Sequence, residues 1–424
     1  MPKARPYKEM KVAIINHSDT RGGASVVTLR LASALADAGA EVTLLVGRKE
    51  SDSPLVVQGS SLRRELSFAA EHLDIVLHNR LSRTNLFKIS TGRFGMGLSR
   101  HKAVEEADIV VLAWVNQGTL SLGEIRRMAR KKPVVWVMHD RWCQTGVCHH
   151  VPDGCQRLKA GCGFCPLLRH GSAADLSHSV YQAKRRLYGE LPPPMLSFVA
   201  VSRWLAEAPG LTQGRTEVIP NVFPVESYPV TPAMSRQDLG LPEQGRLVVM
   251  GAARLDDPVK NFPLAITTLN ALREKDVTAV FFGNLRDKSL LDGLRIPHRW
   301  LGPLGSTREV ASVMSHATVV LSSSRFETLP TTLIEGMSAG AVPVTTGHGG
   351  QSDIIDDGTD GYIAPDDEAA TLAMLTDRAL HSPFDRVAQH EAAARRFAAP
   401  VTARRYIALF QRLIKEYKQL ITKS

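Results

Sequence analysis

Two carboxylates, Glu327 and Glu335, have seven residues between them, among which Thr328, Leu329, Pro330 and Thr331 mark a turn into a helix. Upstream, ATVVLSSS (317–324) is a β-branched run closing in small polar residues, the pattern of a strand leaving a sheet. Downstream, TTLIEGMSAG reads as the first turns of a helix. The N–H groups of a helix start have no intrahelical acceptor and lie at the positive end of its dipole, so this turn suits a phosphate. An ionised carboxylate on either side of it accepts hydrogen bonds from hydroxyls. A sugar nucleotide presents those groups in that order: sugar hydroxyls, diphosphate, ribose hydroxyls. Each glutamate also has a plainer reading. Thr332 to Glu335 spells S/T-x-x-E, a capping box, and Glu327 alone could be a solvated loop residue.

Other chemistry-bearing residues fall where strands should end. Arg254 and Lys260 lie in ARLDDPVKNF, just after the strand RLVVMGA, where two cations would offset charge building on a departing diphosphate. Gly22 and Gly23 follow the first strand, MKVAIINHS, and allow either a close approach of phosphate to backbone or a plain tight turn. A nicotinamide dinucleotide fold is disfavoured, because there is no G-x-G-x-x-G and the second strand ends in Gly47 and Arg48 where an acid should grip the ribose. Trp114, Asn116 and Gln117 leave one strand, and His139 with Asp140 leaves another; in a parallel sheet those ends are where a ligand site belongs. The segment from Cys143 to Pro166 holds all five cysteines of the chain. Cys148, Cys155, Cys162 and Cys165 have spacings of six, six and two residues. Four thiolates suit tetrahedral structural zinc, with His149, His150 and His170 as reserve ligands; reduced loop cysteines or redox chemistry are the alternatives.

Taken together these stretches resemble retaining glycosyltransferases of the GT-B fold (family four, glycosyltransferase group 1). E-x7-E running into EGMSAGAVPV is similar to that family's donor-site signature, with Leu329 and Pro330 around the usual glycine and Gly336 for the usual alanine. ARLDDPVKNF is similar to its G-R-L-x-x-x-K-G loop, one residue longer and with Asn261 for the glycine. Gly22-Gly23-Ala24 resembles its G-G-A loop, and GHGGQSDIIDDGTDGYIAP its G-G-x-x-(D/E)-x-I stretch and closing turn. His139-Asp140-x-Trp142 and the cysteine segment resemble a branch of bacterial polysaccharide glycosyltransferases of the colanic-acid type, in which the histidine lines the sugar pocket and Cys143 replaces an aliphatic or aromatic residue.

The resemblance implies an α/β protein with two Rossmann-like domains, a central cleft between them and a C-terminal helix crossing back. It implies transfer of a sugar, with retention, from a nucleoside-diphosphate sugar to a growing glycan, lipid-linked or of a surface polysaccharide. Arg254 and Lys260 would meet the diphosphate, Glu335 the ribose, Glu327 the transferred sugar, and His139 the sugar or acceptor. Gly22, Gly23 and the turn Thr328–Thr331 would serve the donor, Trp114, Asn116 and Gln117 the acceptor. No catalytic metal is required, since the cations take that role. A GT-B epimerase or phosphorylase is the rival within enzymes.

The elements that must position these residues are readable in outline. A β-α-β opening and its restart at Leu247 indicate two parallel sheets, divided near the proline-rich stretch 221–232, which reads as a linker. The expected domains are 1–222, with the cysteine-rich insert at 143–166, and 223–405, followed by an amphipathic helix at 406–424. Residues 50 to about 105 read as helical fragments and an exposed basic segment. Net charge is +10 in all, +11 over 1–222 and −1 over 223–424. The basic half suits an anionic membrane surface or a lipid-diphosphate acceptor; nucleic acid would attract the same charge, but aromatics are only 6% and form no stacking platform. A basic tail runs directly into the first strand with no secretory apolar core, and no run approaches the roughly 18 apolar residues of a spanning helix. The expected location is cytoplasmic, with peripheral contact at the inner face of the membrane.

Overall fold

The computed structural model describes residues 10–382 and 384–423; the basic tail ahead of the first strand lies outside them. Two compact units divide the chain, one of Met1–Val222 with Thr402–Ser424, the other of Phe223–Val401.

In the first unit seven strands, β1 (Lys11–Ser18), β2 (Glu41–Arg48), β3 (Val56–Gln58), β4 (Ile109–Leu112), β5 (Val134–Met138), β6 (Leu196–Ala200) and β7 (Thr216–Val218), form a parallel sheet in the order β3-β2-β1-β4-β5-β6-β7. The apolar runs of β4, β5 and β6 are buried along their whole length, as strands covered on both faces must be. The helix Gly23–Asp37 buries Val27, Leu31 and Leu35 at four-residue spacing, which is why the sequence after the glycine pair folds back onto the sheet. Strand order reverses between β1 and β4, the point at which parallel sheets open a ligand crevice at the strand C-termini.

The second unit repeats the plan with β8 (Arg246–Arg254), β9 (Val277–Asn284), β10 (His298–Trp300), β11 (Val319–Ser322), β12 (Val342–Thr346) and β13 (Tyr362–Ala364), ordered β10-β9-β8-β11-β12-β13. Its reversal lies between β8 and β11. The pairing of β8 with β9 shifts between Gly251 and Arg254, so that Ala252 and Ala253 stand opposite Gly283 alone. This bulge bends the strand end and re-aims Arg254. It needs its glycines: a Cβ on Gly283 would stand 1.7 Å from the Ala252 carbonyl oxygen.

Three expectations change. The terminal helix spans Ala399–Lys423 rather than starting at 406, because Pro400 falls in its first turn, where the missing N–H costs nothing. From Thr402 it belongs to the first unit: Tyr406, Ile407, Phe410 and Leu413 are buried, and Arg405 donates to the Val218 carbonyl at 2.5 Å. The proline-rich stretch is not a loose tether, since Phe223 and Tyr228 are buried with rings 5.0 Å apart and Phe223 N donates to Phe397 O at 2.9 Å. Residues 50–105 hold an 18-residue helix, Ser61–His78, and the basic segment dives inward at Ile89, Ser90 and Thr91, where Glu71 accepts from the Thr91 amide at 2.6 Å.

Gly336 also has a packing reason. An added Cβ would stand 2.4 Å from a Val320 methyl, so the helix Thr331–Ser338 lies too close to β11 for the alanine usual at this position. Gly336→Ala is expected to lower stability by roughly 1–3 kcal/mol through overpacking, read as a lower urea midpoint at unchanged m-value; Gly336→Ala with Val320→Ala should recover part of the loss.

Candidate active site

In the second unit the loops after β8 and β11 meet. Ser323 Oγ donates to the carbonyls of Lys260 (2.9 Å) and Asn261 (3.1 Å), and Arg325 N donates to Val259 O at 2.8 Å. Lys260 Nζ is bonded to Glu327 Oε1, so two side chains assigned to different groups of one ligand are here each other's counter-ion. An ion pair this accessible is worth about 1 kcal/mol or less, whereas a charge-assisted hydrogen bond to phosphate contributes roughly 1.5–3. A diphosphate can therefore take Lys260 over. Arg254 is held by its own loop, Nε 3.4 Å from Asp256 and Nη2 3.2 Å from Asp257, while the Asp257 carboxylate accepts from Val259 N at 3.1 Å. Asn261 sits at φ 50°, ψ 48°, a left-handed position that explains the glycine usual there and the tolerance of asparagine.

The helix Thr331–Ser338 starts at Pro330, which offers no side-chain cap, so Thr332 lies inside the helix and is not the N-cap of a capping box with Glu335. Leu329 is buried behind the turn and anchors it. The glycine pair Gly349-Gly350 closes over Glu327: Gly350 N donates to Glu327 O at 2.6 Å, and a Cβ on Gly349 would lie 2.5 Å from that oxygen. Sequence reading missed Gln351, which is fully buried. Its Oε1 accepts from Ser322 and Thr345 at 2.7 Å, and its Nε2 donates at 2.9 Å to Ser324 O, Thr346 Oγ1 and His348 O, clamping the ends of β11 and β12 together. A glutamine directly after a glycine pair was the available signal.

In the first unit the helix Gly23–Asp37 likewise starts without a side-chain cap, at Gly22 with φ 83°, and open space lies above both Gly22 and Gly23. Asp140 is the hub of the strand ends nearby. Its Oδ2 accepts from Trp114 Nε1 and His149 Nδ1, both at 2.8 Å, and its Oδ1 from Trp142 N at 2.8 Å. Burial alone would raise this carboxyl; the His149 ring, the Trp142 amide and His150 outweigh it and hold Asp140 below the ordinary carboxylate range. His149 Nε2 meets Ser90 Oγ at 3.1 Å, so both its nitrogens are engaged and it is no reserve metal ligand. Asn116 and Gln117 are buried, with Asn116 Nδ2 3.1 Å from His149 Nδ1 and Gln117 Nε2 3.3 Å from Ser90 Oγ. Their side chains brace the hub from inside. His139 lines a small cavity with Ile14, Val27, Val111 and Tyr406. His17, which sequence reading passed over at the end of β1, bonds Thr119 Oγ1 at 2.8 Å and meets the Trp114 ring edge-on at 5.4 Å.

All five cysteines are free thiols. Cys148, Cys155, Cys162 and Cys165 line one cavity, but among the described residues no three His, Cys, Asp or Glu side chains converge as on a bound metal. The insert is also less dependent on staples than its composition implies, because Val147, Cys165, Leu168, Leu176 and Val180 share a small core with Ile75 and Ile89.

Comparison with known proteins follows the same division. Residues 22–221 match the glycosyl transferase 4-like domain, and residues 234–396 match glycosyl transferases group 1. The chain carries both domains of a group 1 glycosyltransferase. It is 26% identical over 249 residues to WcaC of Escherichia coli (strain K12), named as a glycosyl transferase of colanic acid biosynthesis; the match covers 57% of this chain and 58% of that one. To a phosphatidyl-myo-inositol mannosyltransferase of Mycolicibacterium smegmatis it is 24% identical over 86% of this chain and 84% of the relative. Among solved structures, the HepE protein of Anabaena in complex with UDP and glucose superposes with a TM-score of 0.61 at 15% identity, covering 95% of this chain and 99% of that one. A glycosyltransferase of Rickettsia africae gives 0.66 at 13% identity, covering 96% and 100%. These likenesses show the GT-B fold.

Two histidines of this glycosyltransferase are held neutral. Burial lowers His139 to about 4 against the opposing pull of Asp140, and burial with Arg64, Arg21 and Arg48 lowers His17 to about 4. Because the unfolded chain takes up these protons first, stability is expected to fall as pH drops from about 6.5 to 4 and to change no further on their account below that. NMR titration of the imidazole signals should show no inflection for either histidine between about pH 6 and 7; an inflection there would contradict their burial.

Proposed function

We propose that this protein transfers a sugar from a nucleoside-diphosphate sugar to a hydroxyl of a growing glycan or lipid-linked acceptor, with retention of configuration. The bond from the anomeric carbon to the diphosphate oxygen breaks, and a bond from that carbon to the acceptor oxygen forms. The observation that carries the reading is the meeting of two loops in the second unit, which bonds Lys260 to Glu327 a few residues ahead of the helix Thr331–Ser338. Charge developing on the leaving diphosphate is stabilised there more strongly in the transition state than in the ground state, which is what accelerates the step. Glu335 takes the ribose hydroxyls, and Glu327, released from Lys260, takes hydroxyls of the transferred sugar. On the first unit, neutral His139 serves the sugar or acceptor, the open Gly22-Gly23 loop admits the donor, and Trp114, Asn116 and Gln117 shape the acceptor side through the Asp140 hub. The names of the relatives support a polysaccharide or lipid-linked acceptor, and UDP in the HepE complex makes uridine the first nucleotide to try.

Ligand-observed NMR with UDP-, GDP- and TDP-sugars, followed by transfer assays with the donor that binds, tests this. One donor should bind, with Glu335→Ala weakening it, and Arg254→Ala lowering kcat/KM by roughly 10²–10³. Turnover of the donor without any acceptor to an isomer or a sugar phosphate would instead mark an epimerase or phosphorylase.

The acceptor class carries a surface expectation. The helix Ser61–His78 exposes Leu62, Leu66, Leu73 and Leu77 along one side, with Leu81 and Phe87 just beyond, each 57–73% accessible. Arg63, Arg80, Arg83 and Lys88 are exposed alongside. An apolar stripe edged by cations fits an anionic membrane surface, the inner leaflet where a lipid-linked acceptor would lie. No described helix is long and apolar enough to cross a membrane. Co-sedimentation with phosphatidylglycerol vesicles is expected, reduced in Leu66→Ser/Leu73→Ser and absent with neutral phosphatidylcholine; equal binding to both vesicles would contradict it.

A further inference from the structure

We propose that Cys148, Cys155, Cys162 and Cys165 hold one structural zinc ion as a tetrathiolate that locks the insert between β5 and β6. Four of the five cysteines line a single small cavity of about 20 Å³, room for one ion, whose other walls include Val147, Val151 and Leu158. Cys143 is not among them. The backbone is wound around this point: Gly161, Cys162, Gly163 and Phe164 are successive left-handed residues, with φ of 80°, 62°, 88° and 48°. Two of the four are not glycine, and such positions persist only where surrounding structure enforces them.

A second observation is independent of the sulfurs. Lys184 is fully buried, with Nζ donating to the carbonyls of Trp142 (2.6 Å), Thr145 (3.2 Å) and Gly146 (2.9 Å), and lying 3.3 Å from the Trp142 ring centroid. None of these partners carries a full negative charge. Burial opposes the charged form of Lys184, while Cys143, Cys148, Asp140 and Cys162 favour it; a zinc ion with four thiolates would add a net charge of about −2 on that side. The thiols as they stand do not converge, so loading requires their side chains to turn inward, and the shared cavity is the space they turn into. His149 does not complete the set, because it is committed to Asp140 and Ser90.

The full-length protein, produced with zinc in the medium and purified without chelator, should carry about one zinc per chain by elemental analysis. Cys143→Ser should retain it and Cys162→Ser should lose it. Should Cys162→Ser fail to fold, the wild-type protein still decides: cobalt in place of zinc should give sulfur-to-cobalt charge-transfer absorption with tetrahedral d–d bands, and a mercurial should release the metal as about four thiols react. Wild-type protein that carries under about 0.1 zinc per chain and takes up neither zinc nor cobalt in the presence of a reductant would overturn the proposal, as would Cys162→Ser that keeps a full complement of metal.

Discussion

The structure depends on holding like partial charges together. Lys260 and the amide end of the helix Thr331–Ser338 both carry positive charge, and nothing in their own chemistry would bring together the loops that hold them. What gathers them is hydrogen bonding between the loops after β8 and β11, with Ser323 on the carbonyls of Lys260 and Asn261 and Arg325 N on Val259 O. The carboxylates of Asp256, Asp257 and Glu327 then neutralise the cations locally. The bulge in β8, the left-handed Asn261 and the close approach of Gly349 to Glu327 are the backbone conditions for that contact. In the proposed reaction a diphosphate replaces several weak, accessible ion pairs with charge-assisted hydrogen bonds.

The first unit solves a different problem, that of orienting neutral and aromatic groups. Asp140 is fixed as an anion by donors from three directions, and one of them, His149, comes from the cysteine-rich insert. The insert thus does more than decorate the sheet. By supplying His149 it sets the Trp114 indole and the buried amides of Asn116 and Gln117, so any change that loosens the insert should reach the strand ends of β4 and β5 through this bond.

Much of this was legible in the sequence, for physical reasons that can be named. Parallel strands buried on both faces read as continuous β-branched runs, so β1, β4, β5 and β11 could be placed from composition alone. The carboxylates and cations at their ends followed from the rule that ligands gather there. Pairing was not legible: Lys260 and Glu327 are 67 residues apart, and no local pattern says that they bond. Nor was the role of Gln351 or His149, since each acts through contacts with other elements. His149 was misread as a spare metal ligand because its neighbours in sequence are cysteines, whereas its neighbours in space are Asp140 and Ser90. Boundaries fared worst where proline was involved. Pro400 permits an earlier helix start, and the prolines of 220–232 accompany a packed turn rather than a tether.

The central claim is that a nucleoside diphosphate is recognised by its terminal phosphate at the cluster of Arg254, Lys260 and the helix amides. Calorimetric titration of the wild-type protein and of Arg254→Ala/Lys260→Ala with the preferred nucleoside mono- and diphosphates tests it most directly. The account predicts that the diphosphate binds about 100-fold more tightly than the monophosphate to wild type, the worth of about two charge-assisted contacts, and that the double substitution erases the difference. Equal affinity of wild type for the two nucleotides, or an undiminished preference in the double variant, would contradict it.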